Sequence, residues 1–352
     1  MWPSARSAIC SSCGIRFVKS SVRGQGRLIL CLLILMLLTS LIVSFAYTVG
    51  ESSVVGTSLG SLHHQLFYSK KNSRELRECH FAFNDTSKGP IEADTVSVPG
   101  IHELEEMLGP DLMPGGHFVP RLCRSKTKVA IIIPFRDRRI HLKIFLRHMH
   151  PFLQRQNVEY GIFVVEQEGV TPFNRAILLN IGYVESEMLH HYDCFIFHDV
   201  DLLPLDDRNI YACSENPVHL SASIDTHDFK LMYNNLFGGV SALTKEMMLK
   251  VNGFSNIYFG WGGEDDDMSY RVRSHGMDIE RYIPEVARYT MMKHAKADGP
   301  SRYRLFASSR DRIHSDGINT LKYERIDIQL LPLYTWILVR INESEILEPF
   351  GL

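Results

Sequence analysis

The sequence predicts an α/β fold built on a central, mostly parallel sheet. Three short apolar runs have the composition of buried strands, and the two stretches between them repeat apolar residues at helical spacing. The predicted order is strand 129–133, helix 139–154, strand 161–165, helix 175–189 and strand 194–197. Because strands alternate with helices, we expect parallel pairing through right-handed crossovers. A formal charge of −2 with 45% hydrophobic residues lacks the basic excess of a nucleic-acid binder, so no nucleic-acid partner is expected.

Each of these five elements carries a local signal of its own. The first strand reads VAIII, a β-branched run that Pro134 is expected to end. The helix after it repeats apolar residues such as Ile140 and Ile144 at helical spacing. The second strand reads GIFVV, Asn174 caps the second helix, and the third strand reads CFIF.

A segment before the predicted fold has the length of a membrane span. Residues 28–49 form an uncharged apolar run of 22 residues. As a helix this run would be roughly 33 Å long, enough to cross a bilayer. Residues 1–27 are basic without any acidic residue, which places them in the cytosol by the positive-inside rule. We therefore expect a signal-anchor rather than a cleaved signal peptide, then a polar stem over 50–78 and a lumenal domain over 79–352.

Cysteines and glycosylation patterns agree with a lumenal domain. Four cysteines follow the span, an even number suited to an oxidising compartment, and they allow three pairings. They are Cys79, Cys123, Cys194 and Cys213. Asn84 and Asn342 each begin an Asn-X-Ser/Thr acceptor pattern, which is expected on the same side of the membrane.

Polar residues follow the predicted strands where an α/β sheet binds its ligands. The strand ends read PFRDR (134–138), EQ (166–167) and HDVDLLP (198–204). In extended backbone, Asp199 and Asp201 would direct both carboxylates at one point, as a Mg²⁺ or Mn²⁺ site requires. Arginines after the first strand add bidentate phosphate donors. We interpret these features as a metal–diphosphate site, the alternative being a solvated charged rim.

The run GWGGEDDD at 260–267 is a second candidate site. Its glycines allow unusual backbone angles, and Trp261 offers a flat apolar face. Crowded carboxylates raise one another's pKa, which suits a general base. The alternative is an exposed helix start, where acidic residues are also favoured. A third stretch, MMKH at 291–294, places His294 where spacing alone does not distinguish a ligand from a surface histidine.

Taken together, the motifs resemble those of the β-1,4-galactosyltransferase family, Golgi type II membrane enzymes. The matching stretches are AIIIPFRDR, FNRAILLNIGY, FHDVDLLP, FGGVSALTKE, NGFSNIYFGWGGEDDDMSYR, MMKH, HSDGINTLKY and PLYT. They occur in the family's order over about residues 120–340. The resemblance implies a GT-A type fold and inverting transfer from a UDP-sugar.

The resemblance also implies roles for individual residues. Asp265 is the implied base that deprotonates the acceptor hydroxyl, and Trp261 lies in a loop that closes over the donor. The implied Mn²⁺ ligands are Asp201, Met291 and His294. The implied sugar-binding residues are Glu264, Asp266, Trp261, Leu236, Tyr233, Gly238 and Gly239. The implied UDP-binding residues are Pro134, Phe135, Arg136, Arg138, Phe173, Arg175, Val200 and Asp201. The implied disulfides are Cys79–Cys123 and Cys194–Cys213.

One position bears on the choice of donor. Vertebrate members carry a tyrosine just before the FGG motif, where it hinders an N-acetyl group, whereas this chain has Leu236. Leucine leaves room for an acetamide, so the chain resembles the invertebrate β-1,4-N-acetylgalactosaminyltransferase branch. We expect transfer of GalNAc from UDP-GalNAc, with UDP-Gal as the alternative, because a pocket change of a few atoms discriminates by only about 1–3 kcal/mol.

The resemblance further implies the setting in which this chemistry occurs. The acceptor would be a terminal β-linked GlcNAc on a glycoprotein or glycolipid, giving GalNAcβ1-4GlcNAc. The protein would be a single-pass type II protein of the Golgi membrane with its catalytic domain in the lumen. An accessory membrane partner or a homodimer stays open. A xylose acceptor is less favoured because that branch resembles GWGREDD, and a catalytically silent membrane lectin is less favoured because every ligand and base position is filled.

Overall fold

A computed structural model describes residues 76–79, 88–294 and 303–352 of the chain. They fall within one compact unit, Ser73–Leu352. The predicted cytoplasmic tail, the membrane span, most of the stem and Asn84 lie outside the described residues. Across the described ranges, no helix is both long enough and apolar enough to cross a membrane.

Ten strands form two sheets in the described part of the chain. In chain order they are β1 (Lys128–Phe135), β2 (Glu159–Gln167), β3 (Cys194–His198), β4 (Leu202–Pro204), β5 (Val218–His219), β6 (Ser223–Ile224), β7 (Val240–Thr244), β8 (Arg288–Met291), β9 (Glu324–Leu330) and β10 (Thr335–Arg340). The larger sheet has the order β5–β7–β3–β1–β2–β10–β9, and the smaller has the order β4–β8–β6. Strands β3, β1, β2 and β10 are parallel neighbours, whereas β7, β5 and β9 add antiparallel pairs at the two edges.

Helices cover the sheet and connect its strands. In chain order they are α1 (Ile101–Leu108), α2 (Arg139–Arg155), α3 (Arg175–Leu189), α4 (Lys245–Lys250), α5 (Glu264–Ser274), α6 (Tyr303–Ala307), α7 (Ser309–Arg312) and α8 (Glu343–Leu347). The predicted α/β class with a mostly parallel central sheet is therefore what the structure has.

The five predicted elements are all present, and Asn174 caps α3 by accepting a hydrogen bond from the amide of Ile177 (3.0 Å). The prediction that Pro134 ends the first strand is wrong, because β1 continues through Pro134 to Phe135. The pairing of β1 with β3 stops at Ile132, so Pro134 has a strand neighbour only in β2. A strand tolerates proline where one side needs no ladder hydrogen bond.

The core lies on both faces of the larger sheet. Alternate residues of β1 point to opposite faces: Ile131 and Ile133 pack in one cluster, and Ala130 and Ile132 pack in the other. Helix α2 contributes Phe145 and other apolar residues to the first cluster, and α3 contributes Ile177 and its neighbours to the second. This two-sided burial explains why the central strands read as continuous apolar runs.

Candidate active site

The polar ends of several strands meet at one edge of the larger sheet. Strands β1, β2 and β3 are parallel, so their carboxyl ends lie together, and β7 runs antiparallel to β3 with Val240 opposite His198. The residues just before β7 therefore lie at the same edge as those just after β3. The amide of Asp199 donates to the carbonyl of Gly239 (3.1 Å), which joins the two segments directly.

Asp201, Met291 and His294 are brought together by the smaller sheet. Leu202 pairs with Met291 in the β4–β8 ladder, and the amide of Met292 donates to the carbonyl of Asp201 (2.8 Å). The His294 Nε2 atom lies 2.9 Å from Asp201 Oδ2. Among the described residues, no group of three or more His, Cys, Asp or Glu side chains is arranged to hold a metal ion. The third member of the predicted ligand set, Met291, has a thioether.

Asp199 does not share the position of Asp201 in the way the spacing predicted. The backbone turns here, with the amide of Leu202 donating to the carbonyl of Asp199 (3.3 Å), instead of continuing extended. The Asp199 carboxylate accepts a hydrogen bond from Arg175 Nε (2.6 Å). The extended backbone on which the prediction relied is therefore wrong, and the turn gives each carboxylate a different partner. The two carboxyls nevertheless lie close together: burial raises the pKa of Asp199, and the Asp201 charge adds to that rise.

The acidic run forms the first turn of α5, but it is not the exposed helix start of the alternative, because Glu264 and Asp267 are buried. The side chain of Glu264 is buried: Oε1 lies 3.7 Å from Arg175 Nη1, and Oε2 has no hydrogen-bond partner among the described residues. Asp266 accepts a hydrogen bond from the Tyr233 hydroxyl (2.9 Å). Asp267 is fully buried and pairs with Arg271 (2.6 Å), which makes it part of the core.

Gly238 provides the close approach that Asp265 requires. A Cβ atom at Gly238 would lie only 2.5 Å from Asp265 Oδ2, so any larger residue would collide with that carboxylate. Gly239 has φ +76° and faces Ser221 and Leu202 just as tightly. These two glycines of the FGG motif therefore let the segment before β7 pack against the acidic turn of α5.

Burial and mutual repulsion shift the acidic side chains of this site. Burial is the main cause that raises the pKa of Glu264 to about 7, and the Asp265 charge adds to it while Arg175 opposes it. Burial, with repulsion from Asp266, also raises the pKa of Asp265. Both carboxyls are thus better proton acceptors than ordinary surface carboxylates.

The predicted UDP-binding residues line the same edge. Arg136 donates to the carbonyl of Thr171 (2.6 Å) and stacks over the ring of Phe173, 5.2 Å from its centroid. Pro134 and Phe135 are buried at the end of β1, and Val200 is buried in the turn that follows β3. A groove of about 950 Å³ opens beside Met291 and is also lined by Arg138.

The glycine-rich loop before α5 has three residues in the left-handed region and an exposed tryptophan. Gly260, Gly262 and Gly263 have φ values of +85°, +95° and +94°, which only glycine adopts at low cost. Trp261 is 70% exposed. The amide of Gly260 donates to the carbonyl of Phe173 (2.7 Å), which ties the start of the loop to a predicted nucleotide contact.

Sequence reasoning missed two residues of this region, Arg281 and His219. Both bond to the segment that carries Leu236 and Gly238. No local pattern points to them, because Arg281 is 45 residues from Leu236 along the chain. Both disulfides implied by the resemblance, Cys79–Cys123 and Cys194–Cys213, are present in the structure. Asn342 is exposed and caps α8.

Comparison with family models and known proteins gives consistent matches. Residues 81–214 match the model described as the N-terminal region of glycosyl transferase group 7, and residues 218–295 match that of the N-terminal domain of galactosyltransferase. The chain is 47% identical over 244 residues to β-1,4-galactosyltransferase 1 of Mus musculus, covering 68% of this chain and 61% of that protein. It is 45% identical over 229 residues to β-1,4-galactosyltransferase 4 of Cricetulus griseus, covering 64% of this chain and 67% of that protein. This chain thus spans about three fifths of the length of the first of these relatives.

A solved structure matches the fold as well. The catalytic domain of Drosophila β1,4-galactosyltransferase 7, in complex with xylobiose, is 31% identical with a TM-score of 0.53, covering 61% of this chain and 94% of that chain. A mutant of the Drosophila enzyme, solved with manganese, UDP-Gal and xylobiose, matches equally well. The architecture is that of a GT-A type fold.

Proposed function

The chain belongs to the β-1,4-galactosyltransferase family, and on that premise we propose that it is an inverting enzyme that transfers a hexose from a UDP-sugar to O4 of a terminal β-linked GlcNAc. One observation carries the proposal. Two carboxyls of raised pKa, the buried Glu264 and the half-buried Asp265, lie at the sheet edge that also holds Asp201 and His294. Arg175 pairs with Glu264 and with Asp199, which is two residues before Asp201. Such an edge suits a charged diphosphate and a reacting sugar together.

In the proposed reaction, Asp265 acts as the base. Its carboxylate accepts the proton of the acceptor hydroxyl while that oxygen forms a bond to the anomeric carbon of the donor. The bond from that carbon to the diphosphate breaks, and UDP leaves with the electron pair. Attack and departure on opposite faces invert the configuration. The raised pKa of Asp265 supports this role, and the partnerless Oε2 of Glu264 offers an acceptor for a sugar hydroxyl.

The donor set of Asp201, Met291 and His294 fits a manganese ion. The Asp201 carboxylate and the His294 ring are in contact at 2.9 Å, and strand pairing puts Met291 beside them. A thioether is a soft ligand, which disfavours Mg²⁺ more than Mn²⁺. When bound, Mn²⁺ would neutralise charge on the departing UDP. The related Drosophila enzyme solved with manganese and UDP-Gal supports the assignment.

Two observations bear on the identity of the donor sugar. The relatives are galactosyltransferases by name, and one was solved with UDP-Gal, so UDP-Gal is the better-supported donor. UDP-GalNAc is a second candidate donor because Leu236 stands where vertebrate members have a tyrosine. Its backbone is fixed by hydrogen bonds from Arg281 (2.8 Å) and to Tyr233 (3.1 Å). A leucine held there leaves room for an N-acetyl group.

The setting of the enzyme is proposed from topology. Two disulfides in the described domain and the apolar run at 28–49 support a type II protein of the Golgi membrane with a lumenal catalytic domain. Within the catalytic domain, the glycine-rich loop with Trp261 would close over the bound donor and exclude water from it.

A donor comparison tests the proposed function. With Mn²⁺ and a GlcNAc-terminated acceptor, we expect the full-length protein to transfer sugar from UDP-Gal, and Asp265→Asn to lose about 10²–10⁴-fold in kcat while still binding UDP. If Leu236 admits an N-acetyl group, UDP-GalNAc is also used, and Leu236→Tyr lowers kcat/KM for UDP-GalNAc relative to UDP-Gal by about 10–100-fold.

Leu249→Tyr serves as a control for Leu236→Tyr, because Leu249 is an exposed leucine on α4. The control should leave the donor ratio unchanged. Absence of transfer from either donor would overturn the proposed function. An equal donor ratio in wild type and Leu236→Tyr would remove the second candidate and leave UDP-Gal.

A further inference from the structure

One pair of side chains holds three alternate carbonyls of the segment before β7. Arg281 Nη2 donates to the carbonyls of Asn234 (2.9 Å) and Leu236 (2.8 Å). His219 Nε2 donates to the carbonyl of Gly238 (3.0 Å). The three carbonyls belong to alternate residues, from the turn at Asn234 to Gly238 just before β7. Arg281 and His219 together thus hold the segment 234–238 through its backbone.

The two side chains are themselves joined, which fixes the state of the histidine. Arg281 Nε donates to His219 Nδ1 (3.2 Å), and arginine has donors only. Nδ1 must therefore present a lone pair, so the proton of the neutral ring lies on Nε2, where it bonds to Gly238. Burial and the nearby guanidinium lower the pKa of His219 to about 3, in agreement with a neutral ring.

Backbone hydrogen bonds join the segments that carry Arg281 and His219. The amide of His219 donates to the carbonyl of Glu280 (2.8 Å), and the amide of Glu280 donates to the carbonyl of Pro217 (2.8 Å). No carboxylate lies within ion-pair distance of Arg281 in the part of the chain that the structure describes. The half-buried Arg281 guanidinium therefore donates its hydrogen bonds to backbone carbonyls and to the His219 ring rather than to a carboxylate.

The segment 234–238 lies beside the residues proposed to bind and react with the sugars. Gly238 packs against the Asp265 carboxylate, and Leu236 is the residue that bears on donor choice. Ser269 of α5 donates to the carbonyl of Asn235 (2.6 Å), which lies between the two carbonyls that Arg281 bonds. A small displacement of the segment would therefore change both the donor pocket at Leu236 and the gap beside Asp265.

We propose that Arg281, acting through His219 and the carbonyls of 234–238, is a positioning residue that sets donor selectivity. This inference rests on the proposed function, because selectivity requires a transferase. Arg281 lies on the segment between α5 and β8 and reaches the site through the backbone carbonyls of 234–238 and through the His219 ring. A bidentate guanidinium suits such a task, and a lysine does not.

The experiment compares variants of the full-length protein for donor use and for local hydrogen exchange. For Arg281→Met we expect kcat/KM to fall by about tenfold, the UDP-Gal to UDP-GalNAc ratio to change by about threefold or more, and amides of 233–239 to exchange faster. Arg281→Lys should fall between wild type and Arg281→Met. Arg208→Met is the control, because the Arg208 guanidinium bonds to Asp206 and to no carbonyl of the segment.

Variants of His219 distinguish a neutral hydrogen-bonding bridge from mere packing. Glutamine can also accept at one atom and donate at another, so His219→Gln should retain the donor ratio, whereas His219→Leu should resemble Arg281→Met. Wild-type exchange and an unchanged donor ratio in Arg281→Met would overturn the inference, whatever its total activity. If wild type transfers neither sugar, the proposed function fails, and the exchange of 233–239 alone decides whether Arg281 holds the segment.

Discussion

Glu264 shows how a single site residue can lower the stability of the fold. It is buried at the start of α5 beside Asp265, and these two causes raise its pKa to about 7. In the unfolded chain the pKa is near the ordinary value of about 4.3. Between those values the folded state binds more protons than the unfolded state. The free energy of unfolding therefore falls as pH rises from about 4 to 7.

Replacing Glu264 with glutamine should stabilise the protein at neutral pH while it abolishes most activity. We expect Glu264→Gln to raise the free energy of unfolding by about 1–3 kcal/mol at pH 8, and the gain to vanish near pH 4, where the glutamate is protonated in both states. Urea unfolding at the two pH values measures the difference. Glu246→Gln, on the exposed face of α4, should change stability by no more than about 0.5 kcal/mol at either pH. A gain that is equal at pH 4 and pH 8 would contradict the explanation.

Sequence could predict the residues of the site that follow strands, and it could not predict those that support them. Asp201 and Arg136 can be predicted as site residues because each follows a buried strand, and ligands bind at the carboxyl ends of the strands in a parallel sheet. Asp267 looked like its three acidic neighbours, and only burial against Arg271 separates it from them. Arg281 and His219 act on backbone carbonyls, which leave no trace in side-chain spacing.

At the scale of elements, helix α5 is fixed from behind by a buried charge network. Asp267 and Arg271 on α5 pair with Asp316 and Arg312, which follow or end α7. Tyr258 also donates to Asp267 (3.0 Å). Two arginines balance two aspartates, so no net charge is buried. The network holds the helix whose first turn carries Glu264, Asp265 and Asp266.

Breaking this network should destabilise the fold severely. Arg271 is fully buried, so Arg271→Met leaves two aspartates facing the single charge of Arg312. We expect a loss of about 3–5 kcal/mol in the free energy of unfolding, measured by urea at pH 7. Arg273→Met, two residues along on the exposed side of the same helix, should cost no more than about 0.5 kcal/mol. A similar cost for the two variants would show that the buried pairs add nothing beyond surface packing.

The strands that sequence identified are the ones buried on both faces. The central residues of β1, β2 and β3 are apolar because both faces of the sheet are covered. Strand β9 reads ERIDIQL and lies at an exposed edge, so its charges hide the strand pattern. Strands β4, β5 and β6 have two or three residues each, too few for any periodicity. These short strands nevertheless position Met291 and His219.

At the scale of the whole molecule, the larger sheet joins strands that are far apart along the chain. Strand β10 lies beside β2 and pairs in parallel with it, and Trp336 Nε1 donates to Glu166 Oε2 (2.6 Å) at the end of β2. The site is likewise drawn from segments between Pro134 and His294. Bringing together segments so far apart along the chain costs conformational entropy. A disulfide lowers this cost because it restricts the unfolded chain.

The Cys79–Cys123 disulfide should stabilise the molecule without affecting its chemistry. It closes a separation of 44 residues ahead of β1, which in the chain-entropy model corresponds to about 4 kcal/mol. We expect the double variant Cys79→Ala/Cys123→Ala to lose about 2–4 kcal/mol in the free energy of unfolding by urea. At a temperature where it stays folded, its kcat/KM should remain within about twofold of wild type, because every residue placed in the site follows β1 or lies near its end. A large fall in kcat/KM with unchanged stability would mean instead that the segment before β1 acts on the site directly.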